Sequence, residues 1–70
     1  MSNKANFILV HSRNKKVATL VNIEDISVVY TYTSEGYGRM YLKSDPKCGI
    51  TIYETPEQVM ELIKEAYGQE

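Results

Sequence analysis

Thr55-Pro56-Glu57-Gln58-Val59-Met60-Glu61-Leu62-Ile63-Lys64-Glu65-Ala66-Tyr67-Gly68 is the stretch of this 70-residue chain that decides how the rest must be read. Thr55 suits a helix N-cap, Pro56 falls at the first helical position, where its missing N–H costs nothing, and Gln58 stands three residues after the cap to close a capping box. Glu54 and Glu57 lie at the positive end of the helix dipole, and Gly68 is placed to end the helix. Val59, Leu62, Ile63 and Ala66 recur at helical spacing, with Glu57, Glu61, Lys64 and Glu65 elsewhere. The spacing predicts one amphipathic helix over 55–67, whose apolar stripe needs a sheet to cover.

Upstream, the chain is rich in Val, Ile, Thr and Tyr and is cut at short intervals by turn residues, the pattern of successive strands. Strands are expected at about 6–11, 16–22, 26–33, 38–43 and 49–53. They are separated by Ser12-Arg13-Asn14-Lys15, Asn22 to Asp25, Ser34-Glu35-Gly36-Tyr37-Gly38 and Ser44-Asp45-Pro46-Lys47. The fold class is therefore α+β: an antiparallel β-meander of about five strands, curled or half-barrel in form, with one C-terminal α-helix packed on one face. Residues 1–5 read as a polar tail, 6–53 as the meander, and the whole as one small domain.

Strand alternation assigns the faces. Ile26, Val28, Tyr30 and Tyr32 share one side of the third strand, Met40 and Leu42 one side of the fourth, and Ile50 and Ile52 one side of the fifth. The helix is expected on Val28, Tyr30, Met40, Leu42, Ile50 and Ile52. The first strand, Phe7-Ile8-Leu9-Val10, is apolar on both sides, and Val17, Val21 and Val29 add to the apolar surface. One helix cannot cover all of it, so either the sheet curls or another chain buries the remainder.

Composition narrows the class. With 43% hydrophobic residues, two Pro and four Gly, the chain can fold. Its single Cys and single His exclude an internal disulfide and fall short of a zinc set. Domains below roughly 70–80 residues commonly need such a staple or a second subunit, which leaves oligomerisation. No stretch is long and apolar enough for a membrane span or a secretory signal, so a cytoplasmic location without membrane insertion is expected. The net charge of −1 divides into +3 over residues 1–53 and −4 over 54–70. Such a split orients association, whereas a dedicated nucleic-acid binder carries a clearer basic excess.

No catalytic constellation is visible, and neither a metal nor a cofactor is implied. His11 is the only imidazole, at a strand end, and a Ser or Cys nucleophile would need it as its base with nothing nearby to fix the geometry. Cys48 follows Lys47 in a turn, and Glu24-Asp25 reads as a turn-shaping pair. Gly36-Tyr37-Gly38 lacks the helix and Lys-Ser/Thr element of a phosphate loop. The reading is of a protein that is not an enzyme.

Tyrosine is the unusual component. Six of seven aromatic residues are Tyr, which offers a large contact area at low entropic cost and keeps a polar tip. Tyr30 and Tyr32 read as core and rim residues, while Tyr37, Tyr41 and Tyr53 read as exposed. Thr31, Thr33, Arg39, Tyr41, Lys43 and Tyr53 are expected to share one polar, aromatic, mildly basic surface, and with Tyr37 they are the expected ligand- or partner-binding residues. Such a surface suits a protein partner, an anionic small molecule or a stacked base, or is an ordinary solvated strand face.

The series Val21-Asn22-Ile23-Glu24-Asp25-Ile26 with Val28-Val29, then Gly38-Arg39-Met40-Tyr41-Leu42, then Ile52-Tyr53-Glu54-Thr55-Pro56-Glu57-Gln58-Val59-Met60-Glu61-Leu62-Ile63, resembles the small flagellar FlbD-like family over roughly residues 7–64. The chain departs from that pattern in its turn after the first strand, Ser12 to Lys16, in an inserted Tyr37, and at Asp45-Pro46-Lys47-Cys48. The resemblance implies a small bacterial or phage-borne cytoplasmic protein without known catalytic residues, linked in flagellated species to motor function. It transfers no site residue. The expected function is that of a non-enzymatic homo-oligomer that associates through Phe7, Ile8, Leu9 and Val10 and binds a protein partner. The alternatives are a module holding an anionic small molecule or nucleotide at Arg39, Tyr41 and Lys43, and a nucleic-acid-binding regulator.

Overall fold

The computed structural model describes residues 6–68, so the polar segment expected at 1–5 lies outside the described residues. Over these residues the fold is α+β, with five antiparallel strands and one C-terminal helix. A hairpin of β1 (Phe7–His11) and β2 (Ala18–Asn22) leads through a single 3-10 turn, Ile23–Asp25, into β3 (Ile26–Thr31), β4 (Gly38–Leu42) and β5 (Asp45–Ile52). The last three strands form a meander in the order β3-β4-β5, and α1 spans Pro56–Tyr67.

The two sheets meet at one corner. A Ser12–Ile52 bridge is flanked by two backbone bonds: the Tyr53 N–H donates to the His11 carbonyl at 2.9 Å, and the Arg13 N–H donates to the Thr51 carbonyl at 2.8 Å. The sheet curls at this corner but does not close. Both sheets feed one core of Ile8, Val10, Val21, Ile23, Met40, Ile52 and Val59, on which Leu62, Ile63 and Ala66 of α1 also pack. Met40, Ile52 and Val10 are wholly buried.

The helix forms as its local sequence dictates. The Gln58 N–H donates to Thr55 Oγ1 at 3.1 Å and the Thr55 N–H donates to Gln58 Oε1 at 2.9 Å, completing the capping box. At the far end the Gly68 N–H donates to the Lys64 carbonyl.

Strand bounds and faces differ from expectation in three places, each for a local reason. Lys16 takes a positive φ of 56°, closing the loop in which the Ser12 N–H donates to the Val17 carbonyl, so β2 starts at Ala18. The β4–β5 turn is only Lys43-Ser44, because Asp25 clamps it. The Asp25 carboxylate accepts from the Ser44 N–H at 2.9 Å and the Ser44 hydroxyl at 2.6 Å, and its carbonyl accepts from the Lys43 N–H. Asp45-Pro46-Lys47-Cys48 therefore belongs to β5, beside an irregularity in pairing where Leu42 faces Asp45 and Met40 faces Ile50. Pro46, which cannot donate to a ladder, falls within that unpaired stretch.

The third difference decides the site. Ile26 pairs with Leu42 but Val28 pairs with Tyr41, so a β-bulge absorbs one extra residue in β3. Beyond the bulge the parity flips. Val29, opposite Met40, packs against the core, while Val28 and Tyr30 are 46% and 41% exposed. Met40, Leu42, Ile50 and Ile52 lie on the core side as expected; Val28 and Tyr30 lie on the other.

Candidate functional site

The sheet face opposite the core is where the bulge has its effect. Cross-strand partners share a face, so Tyr30 stands beside Arg39 and Val28 beside Tyr41. Tyr30 and Tyr41 stack with ring centroids 6.3 Å apart, and Tyr32 meets Tyr30 edge-on at 6.3 Å. The Arg39 guanidinium lies 4.8 Å from the Tyr32 ring centre and 5.7 Å from that of Tyr41. One Nη1–H of Arg39 donates to Thr51 Oγ1 at 2.7 Å across the strands, and its Nε–H makes a long bond of 3.4 Å to the Tyr41 hydroxyl. Thr51 is buried beneath it.

Glycine supplies the floor. A Cβ at Gly49 would come within 2.6 Å of Arg39 Nε and 2.8 Å of Tyr41 Cζ. Only a residue without a side chain lets both groups lie flat over β5 at this point.

A second cluster adjoins the first through Thr51. Arg13, held to the Thr51 carbonyl by its backbone N–H, places its guanidinium 4.4 Å from the Tyr37 ring centre and 5.6 Å from that of Tyr53. Tyr37 and Tyr53 pack edge-on at 5.5 Å. Tyr37 is positioned by the hairpin, where Gly36 has a φ of 99°, the Tyr37 N–H donates to Thr33 Oγ1, and the Tyr32 N–H donates to the Tyr37 carbonyl. The two clusters together hold both arginines and five of the six tyrosines of the chain.

Of the residues expected at this surface, Tyr37, Arg39, Tyr41 and Tyr53 come together. Thr31, opposite Gly38, falls on the other parity; Thr33 is engaged in the hairpin; and Lys43 sits in the β4–β5 turn. Tyr30, Tyr32 and Arg13 take their place. The adjacent Val28-Val29 pair, apolar on both parities, is the sequence signal that a bulge is tolerated here. Nothing in the local sequence around Arg13 points to a bridge with residue 52.

Electrostatics follow from the contacts. The Arg39 guanidinium, and after it the neighbouring Tyr30 hydroxyl, lowers the Tyr41 phenol below the ordinary tyrosine range. The neighbouring Tyr41 phenol in turn raises Tyr30. A depressed folded pKa adds stability above the unfolded value near 10 and withdraws it as pH falls through the folded value, so stability at neutral pH is untouched. Spectrophotometric titration of the phenols should show one tyrosine ionising ahead of the others. Arg39→Ala should abolish that early phase, and its persistence in the variant would contradict the assignment.

The first strand behaves differently from the surface expected of it. Ile8 and Val10 are buried in the core, whereas Phe7 and Leu9 point away from it, each 48% exposed. Leu9 lies directly opposite Leu20, itself 63% exposed. These three make an apolar outer face on the β1–β2 hairpin. An open cleft of about 660 Å³ borders it, between Leu9 and His11 on one side and Gln58, Glu61 and Leu62 of α1 on the other. His11 is tied down there: Glu54 accepts from the His11 backbone N–H at 3.0 Å and lies 2.7 Å from its Nδ1. Glu54, read from sequence as a dipole partner, thus fastens the end of β1 to the start of α1.

No group of three or more His, Cys, Asp or Glu among the described residues is placed to hold a metal ion, and no helix among them is long and apolar enough to cross a membrane. No family model matches the chain, and no curated protein or solved structure shows significant similarity to it.

Proposed function

We propose that the chain is a non-enzymatic interaction protein of the reducing cytoplasm, FlbD-like in pattern, with two working surfaces. Copies associate through the outer face of the β1–β2 hairpin, and the tyrosine- and arginine-bearing sheet face is offered to a partner. The observation that carries the first surface is the exposure of Phe7, Leu9 and Leu20 on one side of a two-stranded hairpin whose other side, Ile8, Val10 and Val21, is already spent on the core. Seven buried hydrophobic side chains among the described residues are a small core, and apolar burial between copies supplements it. Opposite charge on residues 1–53 and 54–70 gives copies complementary regions, and the near-zero net charge sets no general barrier.

The second surface is supported by its composition, since Tyr and Arg are the residue types enriched where binding energy concentrates. His11, the sole imidazole, is used as a structural tie, consistent with a binding rather than a catalytic role. Sedimentation equilibrium at micromolar concentration tests the association. The expected mass is at least twice the 8.0 kDa of one chain, falling to 8.0 kDa in folded Leu20→Lys. A well-folded 8.0 kDa wild-type monomer overturns self-association.

A further inference from the structure

The helix-free sheet face combines two features that together define the chemistry of a ligand. First, its guanidinium groups are presented without anionic partners: no carboxylate of the described residues lies within ion-pair distance of Arg13 or Arg39. Arg39 spends one Nη1–H on Thr51 and its Nε–H on Tyr41, leaving three N–H donors. Arg13 makes no side-chain hydrogen bond among the described residues, and its Nε is shielded from water without a partner. Second, aromatic rings lie open beside these donors, with Tyr30, Tyr32 and Tyr53 at 41%, 52% and 42% exposure.

We infer that this face binds single-stranded nucleic acid, with bases stacking on Tyr30, Tyr32 and Tyr53 and backbone phosphates taken by Arg39 and Arg13. The inference rests on the reading of the sheet face as a binding surface and gives the partner its class. An unpaired strand presents base faces that any exposed ring can stack on and a phosphate beside each base, which matches rings interleaved with guanidiniums. An acidic peptide would use the two arginines but leave the rings without stacking partners. The acidic residues among the described residues leave both guanidiniums unpaired: Glu24 and Asp25 lie in the 3-10 turn, Glu35 in the β3–β4 hairpin and Asp45 at the first position of β5, Glu54, next to Tyr53, is engaged with His11, and the helix carries Glu57, Glu61 and Glu65.

Gly49 gives a variant that disturbs the site without opposing the fold. The atoms that a new Cβ would meet are the movable ends of Arg39 and Tyr41, and no positive φ forbids alanine there. The test is fluorescence anisotropy of a labelled oligothymidylate of about 12 nucleotides titrated with the full chain. Saturable binding is expected, weakening about sevenfold between about 50 and 200 mM salt, as two neutralised phosphates on a single strand require. Tyr32→Ala and Arg39→Ala should each weaken it at least about fivefold, and Gly49→Ala should weaken it with an unchanged far-ultraviolet circular dichroism spectrum. Absence of binding, or binding indifferent to Tyr32→Ala and Gly49→Ala, overturns the inference. So does tighter binding of a polyglutamate peptide than of the oligothymidylate, which would assign the face to an acidic protein. The polyglutamate arm separates the two readings: peptide binding that is lost in Arg39→Ala, without oligothymidylate binding, removes the nucleic acid alone, whereas binding of neither removes the sheet face as a surface for anionic partners.

Discussion

Met40→Ala should remove about 2–5 kcal/mol of stability, the range found for replacing fully buried large aliphatic side chains. Met40 is wholly inaccessible, flanked across the strands by Val29 and Ile50, and it touches the part of the core that both sheets share. At about 0.05–0.15 kcal/mol per residue, a chain of 70 residues has roughly 3.5–10 kcal/mol in all. The loss is thus a large part of the total. Each kcal/mol shifts the melting temperature of a domain this size by about 4–8 °C. Urea titration read by circular dichroism, compared at equal protein concentration because the proposed association would add to stability, would measure it. A loss below about 1 kcal/mol would mean that Met40 is not the centre of the core.

The parts of this molecule that sequence makes legible are those written in local chemistry. Thr55, Pro56 and Gln58 specify the helix start within four residues, and the capping box forms as the spacing dictates. Gly36, with its positive φ, marks the β3–β4 hairpin in the same way. Alternation in β4 correctly separates Met40 and Leu42 from Arg39 and Tyr41 because inward and outward residues there differ in kind.

What escapes is set by distant contacts. The two-residue turn at Lys43-Ser44 depends on Asp25, 19 residues before Ser44, and without that clamp Asp45-Pro46 reads as the turn itself. Arg13 joins the aromatic face only because Ser12 bridges to Ile52. In β3 the failure is one of parity. Val28 and Val29 are identical residues on opposite faces, so no pattern of polarity states where the bulge falls, and one slipped position sends Tyr30 and Tyr32 outward rather than inward. The core's demand for Val29 opposite Met40 resolves the register, and the tyrosines follow.

The proposals for the sheet face all depend on that register, and a paired substitution has the second large effect. Val29→Asp places a carboxylate against the core and should cost about 3 kcal/mol or unfold the chain, because an unpaired charge there loses its hydration. Val28→Asp puts the same group on the outer face, half exposed beside Tyr41, and should cost no more than about 1 kcal/mol of strand propensity. Uniform alternation through β3 would reverse the order, with Val28 buried and Val29 in solvent. The decisive measurement is the urea midpoint of the two variants side by side. A folded Val28→Asp with a severely weakened Val29→Asp is the predicted result; a stable Val29→Asp with an unfolded Val28→Asp would contradict the outward tyrosine and arginine face.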